Sequence, residues 1–144
     1  MPKSPPAPTD GEMKMTRTAS CSCGQLTAQV TGDPLRISIC HCLACQRRTG
    51  SVFGEQARFK LEDVQVSGQA TEYEQAGDSG ATATFRFCPT CGAIVYWTAQ
   101  ALPGFVTIPV GAFADPAFPT PNVSVYEGRK HQWVVPPKDA EHYD

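Results

Sequence analysis

Short runs in which apolar and polar residues alternate dominate the hydrophobic pattern of this chain. From Leu26 to Val30 every second residue is apolar, and the turn formers Gly32, Asp33 and Pro34 end the run. Such alternation is typical of a β-strand with one buried face, and turn formers interrupt strands. The sequence contains 12 Gly and 13 Pro, which favours short strands over long helices.

Ten strands and one helix are predicted from this pattern. The helix covers Leu43 to Thr49, with Gly50 as its C-terminal cap. Two of the strands flank a Cys-x-Cys-Gly turn between Thr16 and Pro34. The other eight are read from the segments RISI, SVFGEQARF, VQVSG, ATEYEQA, ATFRF, AIVYWTA, FVTIPVG and NVSVYEG. Four aromatic residues are expected in the core: Phe85, Phe87, Trp97 and Trp133.

The chain of 144 residues is long enough for one domain with a core of its own. Residues 1–15 are rich in Pro, Ser and Lys and lack periodicity, so we expect a disordered leader. Residues 16–135 form the predicted domain, and residues 136–144 a polar C-terminal tail. His142, which lies in this tail, is expected to take no part in a functional site.

Composition and charge narrow the class of protein. Hydrophobic residues make up 41% of the chain and charged residues 18%, as in ordinary globular proteins. A net charge of -2 without a basic stripe argues against a nucleic-acid or anionic-membrane partner. The start lacks the apolar core of a secretion signal, and no apolar run approaches the length of a membrane span. We therefore predict a cytoplasmic protein with reduced thiols; the sequence does not indicate its oligomeric state.

The seven cysteines fall into three groups, and their odd number in a reducing compartment favours metal ligands over disulfides. Cys88 and Cys91 form a zinc knuckle, in which two intervening residues and a following glycine allow both sulfurs to face one ion. A knuckle supplies only two ligands. Cys21 and Cys23 offer the second pair, because Gly24 provides the freedom for the bend they need. Four thiolates make a closed, structural zinc site.

The remaining cysteines are Cys40, Cys42 and Cys45, contiguous in the chain. Three protein ligands with an exchangeable fourth position are typical of a catalytic zinc. The alternative is that a histidine closes the site and makes it structural too. His131 is the better candidate for that role, because His41 lies between two ligands and should point away from them.

A zinc ion held by three thiolates is soft and electron-rich, so it suits a thiol ligand better than it activates water. Coordination lowers the pKa of a substrate thiol and produces a nucleophile at neutral pH. Arg47 and Arg48 follow the ligands by about one helical turn. They are predicted to offset the negative charge or to bind a substrate carboxylate, unless they form only a solvated helix face.

The three cysteine groups together resemble the glutathione-dependent formaldehyde-activating enzyme family, which also includes centromere protein V. The resemblance runs from about Ser20 to Trp133 and rests on CSCG, CHCLACQRRTGS, FRFCPTCG and VGAFADPAF...VYEGRKHQWV. It implies a zinc-dependent fold of packed short antiparallel sheets. It also implies a structural zinc and a catalytic zinc on the same two sets of cysteines: Cys21, Cys23, Cys88 and Cys91 for the first, and Cys40, Cys42 and Cys45 for the second.

The resemblance implies a carbon–sulfur lyase that condenses glutathione with formaldehyde to S-hydroxymethylglutathione. In this mechanism the thiol binds as thiolate, attacks the aldehyde carbonyl, and the alkoxide takes a proton from a side chain or water. Tyr96, Tyr126 and His131 are candidate donors. Two alternatives remain from the residues alone: a non-catalytic zinc-stabilised protein-binding module, and a thiol-based redox or metal sensor.

Overall fold

A computed structural model describes residues 15–77 and 80–144, and it confirms a mainly β protein with one α-helix among these residues. All ten predicted strands are present. The predicted leader falls almost wholly outside the described residues. The strands are β1 Thr16–Ser20, β2 Thr27–Thr31, β3 Arg36–Cys40, β4 Gly54–Lys60, β5 Val64–Ser67, β6 Thr71–Ala76, β7 Thr82–Phe87, β8 Ile94–Ala99, β9 Phe105–Pro109, β10 Val123–Val125 and β11 Glu141–His142.

Helix α1, Leu43–Thr49, has the predicted bounds. Its N-cap is Cys42, whose sulfur accepts a hydrogen bond from the backbone N–H of Cys45 at 3.3 Å. Gly50 closes the helix with a left-handed φ of 72°, a conformation that costs glycine little. No helix in the described part of the chain is long and apolar enough to cross a membrane.

The strands form two sheets. The small sheet has the order β1-β2-β5, and the large one the order β11-β10-β3-β4-β9-β8-β7-β6. Pairing is antiparallel, as expected, from β3 through to β6 and throughout the small sheet. At the other edge of the large sheet β10 pairs in parallel with both β3 and β11. Parallel pairing needs a long connection, and here most of the domain separates β3 from β10.

One face of the large sheet packs against the small sheet and forms the hydrophobic core. Leu26, Ala28 and Val30, the alternating apolar residues of the sequence, are completely buried in it. Phe59 and Ile108 contribute from the large sheet. This burial of alternate residues is the stabilisation that the hydrophobic pattern predicts.

The opposite face of the large sheet carries a row of side chains, one from each of six neighbouring strands. We call it the cross-sheet row, and the pairing registers give its order as Arg36, Arg58, Thr107, Trp97, Phe85 and Tyr73. Trp97 and Phe85 are buried, as expected, and Phe87 is half-buried. The prediction for Trp133 is wrong: it is 70% exposed because it lies in a surface turn, where Val134 is buried instead.

The segment predicted as a C-terminal tail adds a strand to the large sheet. Strand β11 pairs with β10, and the buried Ala140 precedes it. His142 Nδ1 lies 2.6 Å from Glu127 Oε2. Within the described residues His142 is in neither cysteine cluster.

The contact between His142 and Glu127 predicts that the attachment of β11 depends on pH. The carboxylate raises the pKa of His142 above 6.5, while the Ser124 hydroxyl and the His142 ring lower the pKa of Glu127 below 4.5. The stability that protonated His142 gives to the attachment of β11 is complete below about pH 6.5. It is lost as pH rises through the folded pKa of His142. The stability that ionised Glu127 gives to the same attachment is present above about pH 4.5. It is lost as pH falls through the folded pKa of Glu127. The attachment is therefore strongest between these values.

Amide hydrogen exchange measures this effect. The protection factor of the Tyr143 N–H, which donates to Ser124 O at 2.8 Å, should be higher at pH 6 than at pH 8.5. His142→Asn should remove the difference. Equal protection at both pH values in the native chain would contradict the role of the pair.

Candidate metal centres

Four thiols from Cys21, Cys23, Cys88 and Cys91 form the first cluster, with all sulfurs within 4.8 Å of one another. The sulfur of Cys23 lies 3.7 Å from that of Cys21 and 3.6 Å from that of Cys88. A zinc tetrahedron with bonds of about 2.3 Å has sulfur–sulfur edges of roughly 3.8 Å. The donor set and its spacing therefore fit zinc.

Two turns bring these thiols together from different sheets. Cys21 and Cys23 follow β1 of the small sheet in a turn closed by a bond from Cys21 N–H to Leu26 O at 2.9 Å. Cys88 and Cys91 follow β7 of the large sheet in the predicted knuckle. Gly92 completes this knuckle with a φ of 81° and a bond to Cys88 O at 2.8 Å. The cluster thus joins the two layers of the fold.

Gln25 supports this cluster, and the sequence analysis missed it. Its side-chain Nε2 donates to Cys88 Sγ at 3.0 Å and to Gln69 O at 2.7 Å. Burial raises the pKa of Cys88, but the Gln25 amide and the N–H groups of Cys91 and Thr90 outweigh it and lower that pKa to about 5. Such donors stabilise a thiolate, the form in which cysteine binds metal.

Gly68 allows β5 to approach this support closely. A Cβ atom at Gly68 would lie 1.9 Å from the backbone oxygen of Gln25, and its φ of 99° also favours glycine. The position of Gln25 in the turn after Cys23 was the available sequence signal, but its hydrogen bonds to Gln69, just after β5, depend on the folded sheet.

The second cluster contains Cys40, Cys42 and Cys45, also with sulfurs within 4.8 Å of one another. Cys40 ends β3 and is buried, Cys42 caps α1, and Cys45 lies in its first turn. Local geometry therefore assembles this cluster within six residues. Three thiols suit a soft metal such as zinc.

No histidine or carboxylate among the described residues joins this second cluster. The ring nitrogen Nε2 of His131 instead contacts Gln46 Oε1 at 3.0 Å on the surface. His41 is buried and points away from the thiols, as predicted, with Nε2 lying 3.1 Å from Ser124 Oγ. The cluster consequently has three protein ligands in the described chain.

Arg48 lies beside this cluster and is held in place by two aromatic rings of the cross-sheet row. Its guanidinium carbon lies 4.5 Å from the Trp97 ring centre and 5.1 Å from that of Phe85. Its Nη2 atom lies 3.6 Å from Cys45 Sγ. Hydrogen bonding from Cys40 and then Cys42, with the Arg48 charge, lowers the pKa of Cys45 to about 5.

Two clefts flank helix α1 and share the wall formed by Ala44, Gln75 and Phe85. The first, which we call the arginine cleft, has a volume of about 480 Å³ and is lined by Arg47 and Arg48. The second, which we call the cysteine cleft, has a volume of about 610 Å³; its lining includes Cys42, Tyr126 and Arg129. The structure therefore brings both predicted arginines to one cavity, which shares a wall with the cleft that Cys42 lines.

Comparison with known proteins identifies this arrangement. The sequence pattern of the glutathione-dependent formaldehyde-activating enzyme family matches residues 16–129, which include both cysteine clusters. The chain belongs to this family. No curated protein matches it. A crystal structure of a protein from Rhodobacter sphaeroides, solved by structural genomics, has the same fold, with a TM-score of 0.53 and 20% identity over 88% of this chain and 99% of the other.

Replacing one cysteine in each cluster should show how much each cluster contributes to the stability of the folded protein. Cys88→Ser breaks the cluster that joins the two sheets. Because structural zinc contributes about 10 kcal/mol or more and whole domains are stable by about 5–15 kcal/mol, the variant should unfold or melt far below the native chain. Cys42→Ser keeps a hydroxyl as helix cap. It should lose about one zinc and retain its fold.

Thermal unfolding with zinc analysis of the purified variants measures both effects. A Cys88→Ser variant with the native melting temperature, or a Cys42→Ser variant that unfolds to the same extent, would refute this division.

Proposed function

We propose that the protein is a zinc-dependent carbon–sulfur lyase that condenses a thiol, glutathione by family resemblance, with formaldehyde or a related aldehyde. The observation that supports this most directly is the cluster of Cys40, Cys42 and Cys45, which has no fourth ligand among the described residues and borders a cleft. In the same proposal the four-cysteine cluster holds a structural zinc.

The three-cysteine cluster would hold the catalytic ion. Zinc bound there would supply a soft Lewis acid that lowers the pKa of a substrate thiol. The other interpretation, a non-catalytic binding module, needs a protein ligand to close this cluster. His131 was the candidate for that role, but its ring is hydrogen-bonded to Gln46 and is not in the cluster.

Arg48 compensates the negative charge that three thiolates bring to the site. The rings of Trp97 and Phe85 hold its guanidinium on one side, and its Nη2 faces Cys45 on the other. Since the cation is pre-positioned, little side-chain freedom is lost when an anionic thiol enters. The aromatic rings therefore act on the chemistry by orienting Arg48.

The two clefts suit a flexible thiol that carries carboxylates. Arg47 and Arg48 line one cleft and Arg129 the other, so carboxylate partners are present on both sides of the shared wall. Ala44 and Phe85 provide an apolar surface for the body of the substrate. A peptide thiol could thus place its sulfur near Cys42 and its carboxylates on these arginines.

The reaction forms one carbon–sulfur bond. The substrate sulfur attacks the aldehyde carbon, and the carbonyl electron pair passes to the oxygen, which takes a proton. Of the three proton donors considered from the sequence, Tyr126 is the one that lines the cysteine cleft. His131 is engaged with Gln46, and Tyr96 packs against the core. We assign the proton donor role to Tyr126, with water as the other source.

A pair of ligands tests the proposed function. Glutathione should bind the zinc-loaded protein with proton release and more tightly as pH rises toward its thiol pKa. S-methylglutathione keeps the peptide contacts and has no ionisable thiol, so it should bind more weakly and without that pH dependence. Calorimetry in buffers of different ionisation enthalpy counts the protons. Equal affinity for both ligands without proton release would contradict the proposal.

The role of Arg48 predicts a defined loss of activity. Arg48→Met retains an unbranched side chain against the rings but removes the charge. Because hydrogen bonds to charged groups contribute about 1.5–3 kcal/mol, kcat/KM for thiol addition should fall by about 10- to 100-fold. Arg47→Met, at an exposed position of the same helix, serves as control and should change it less. Equal effects of both substitutions would show that Arg48 has no special position.

A further inference from the structure

A second charged site lies at the other end of the cross-sheet row. Arg36 and Arg58 are directly opposite each other on β3 and β4, so their side chains share one face. Within the described residues neither forms an ion pair, whereas Arg17 and Arg86 have acidic partners. The Nε atoms of Arg36 and Arg58 are buried and have no hydrogen-bond partner there.

These two side chains line a small, partly open pocket of about 130 Å³. Ser38 and Gln56 lie next to them on the same strands, and Trp97 and Leu102 complete the wall. No Asp or Glu lines it. Gln56 Oε1 is also buried without a partner, and a half-turn of its amide would present the NH₂ group in its place.

Two facing guanidinium groups without an acid are unfavourable unless something else neutralises them. Burial and the charge of Arg36 lower the pKa of Arg58, which reflects this conflict. Unpaired polar atoms in a buried position cost free energy that a bound partner recovers. Arginine forks match oxyanions by forming two parallel hydrogen bonds.

We propose that the pocket between Arg36 and Arg58 binds a small doubly charged oxyanion of the phosphate or sulfate type. Two guanidinium groups balance two negative charges, and Ser38 and Gln56 provide further polar contacts. The volume admits such an ion but not a peptide. Arg36 precedes Cys40 by four residues of one strand, roughly 13 Å, so the arginine pair lies away from the three thiols. Ala99 lines both this pocket and the cysteine cleft, so the two are neighbours.

Thermal unfolding of the zinc-loaded protein in phosphate and in chloride at equal ionic strength tests the proposal. Phosphate should raise the melting temperature in a saturable way, by roughly 5–10 °C at a hundredfold excess over Kd. Calorimetry should give one phosphate per chain. Formate, with a single charge, should produce a smaller shift.

Five variants locate the effect. Arg36→Gln and Arg58→Gln should abolish the phosphate shift and, in chloride, should melt no lower than the native chain because the facing charges are relieved. Arg58→Lys, which keeps the charge but not the fork, should weaken the shift. Lys60→Gln removes the same charge at an exposed position of β4 and should retain the phosphate shift. Arg47→Gln in the arginine cleft should also retain it.

Several results would overturn the proposal. A phosphate shift no larger than that of chloride would show that the pocket binds no anion. A shift that survives both Arg36→Gln and Arg58→Gln, or that disappears in Arg47→Gln, would place the anion elsewhere. A formate shift equal to that of phosphate would contradict the preference for a doubly charged ion.

Discussion

Four thiols from two different sheets converge within 4.8 Å at the turn after β1 and the knuckle after β7. Thiolates stay so close most favourably when a metal ion neutralises them, so a metal bound here would fix how the two layers meet. The core between the layers contains residues such as Leu26 and Phe59. The knuckle starts directly after Phe87, so a metal bound there would also anchor the end of β7, the strand that carries Phe85.

The chemistry of the second cluster depends on this arrangement indirectly. Phe85 and Trp97 face α1 because their strands are held with the opposite face against the core. Their rings hold Arg48 beside Cys45. The cross-sheet row thus links a rigid scaffold to a cluster that is itself assembled from six consecutive residues. Loss of charge at Arg48 would alter the site without altering the fold, whereas loss of the first cluster would remove both.

Local signals in the sequence predicted the elements whose geometry is local. Helix α1 and its cap at Gly50 follow from neighbouring residues, and the knuckle follows from the spacing of Cys88 and Cys91. Contacts between distant segments could not be read in the same way. The pairing of Arg36 with Arg58 requires the register of two strands, and β11 is defined by its pairing with β10 in the folded sheet. Trp133 shows that an aromatic residue after the last long strand need not reach the core.

In the proposed arrangement, four thiols close one zinc site and three leave the other open. X-ray absorption at the zinc edge, together with metal analysis, tests it most directly. We predict two zinc ions per chain with an average of between three and four sulfur ligands and one lighter ligand at the open site. The sulfur average should rise to four on addition of glutathione. A single zinc per chain, or a histidine ligand signature that glutathione does not displace, would contradict the account.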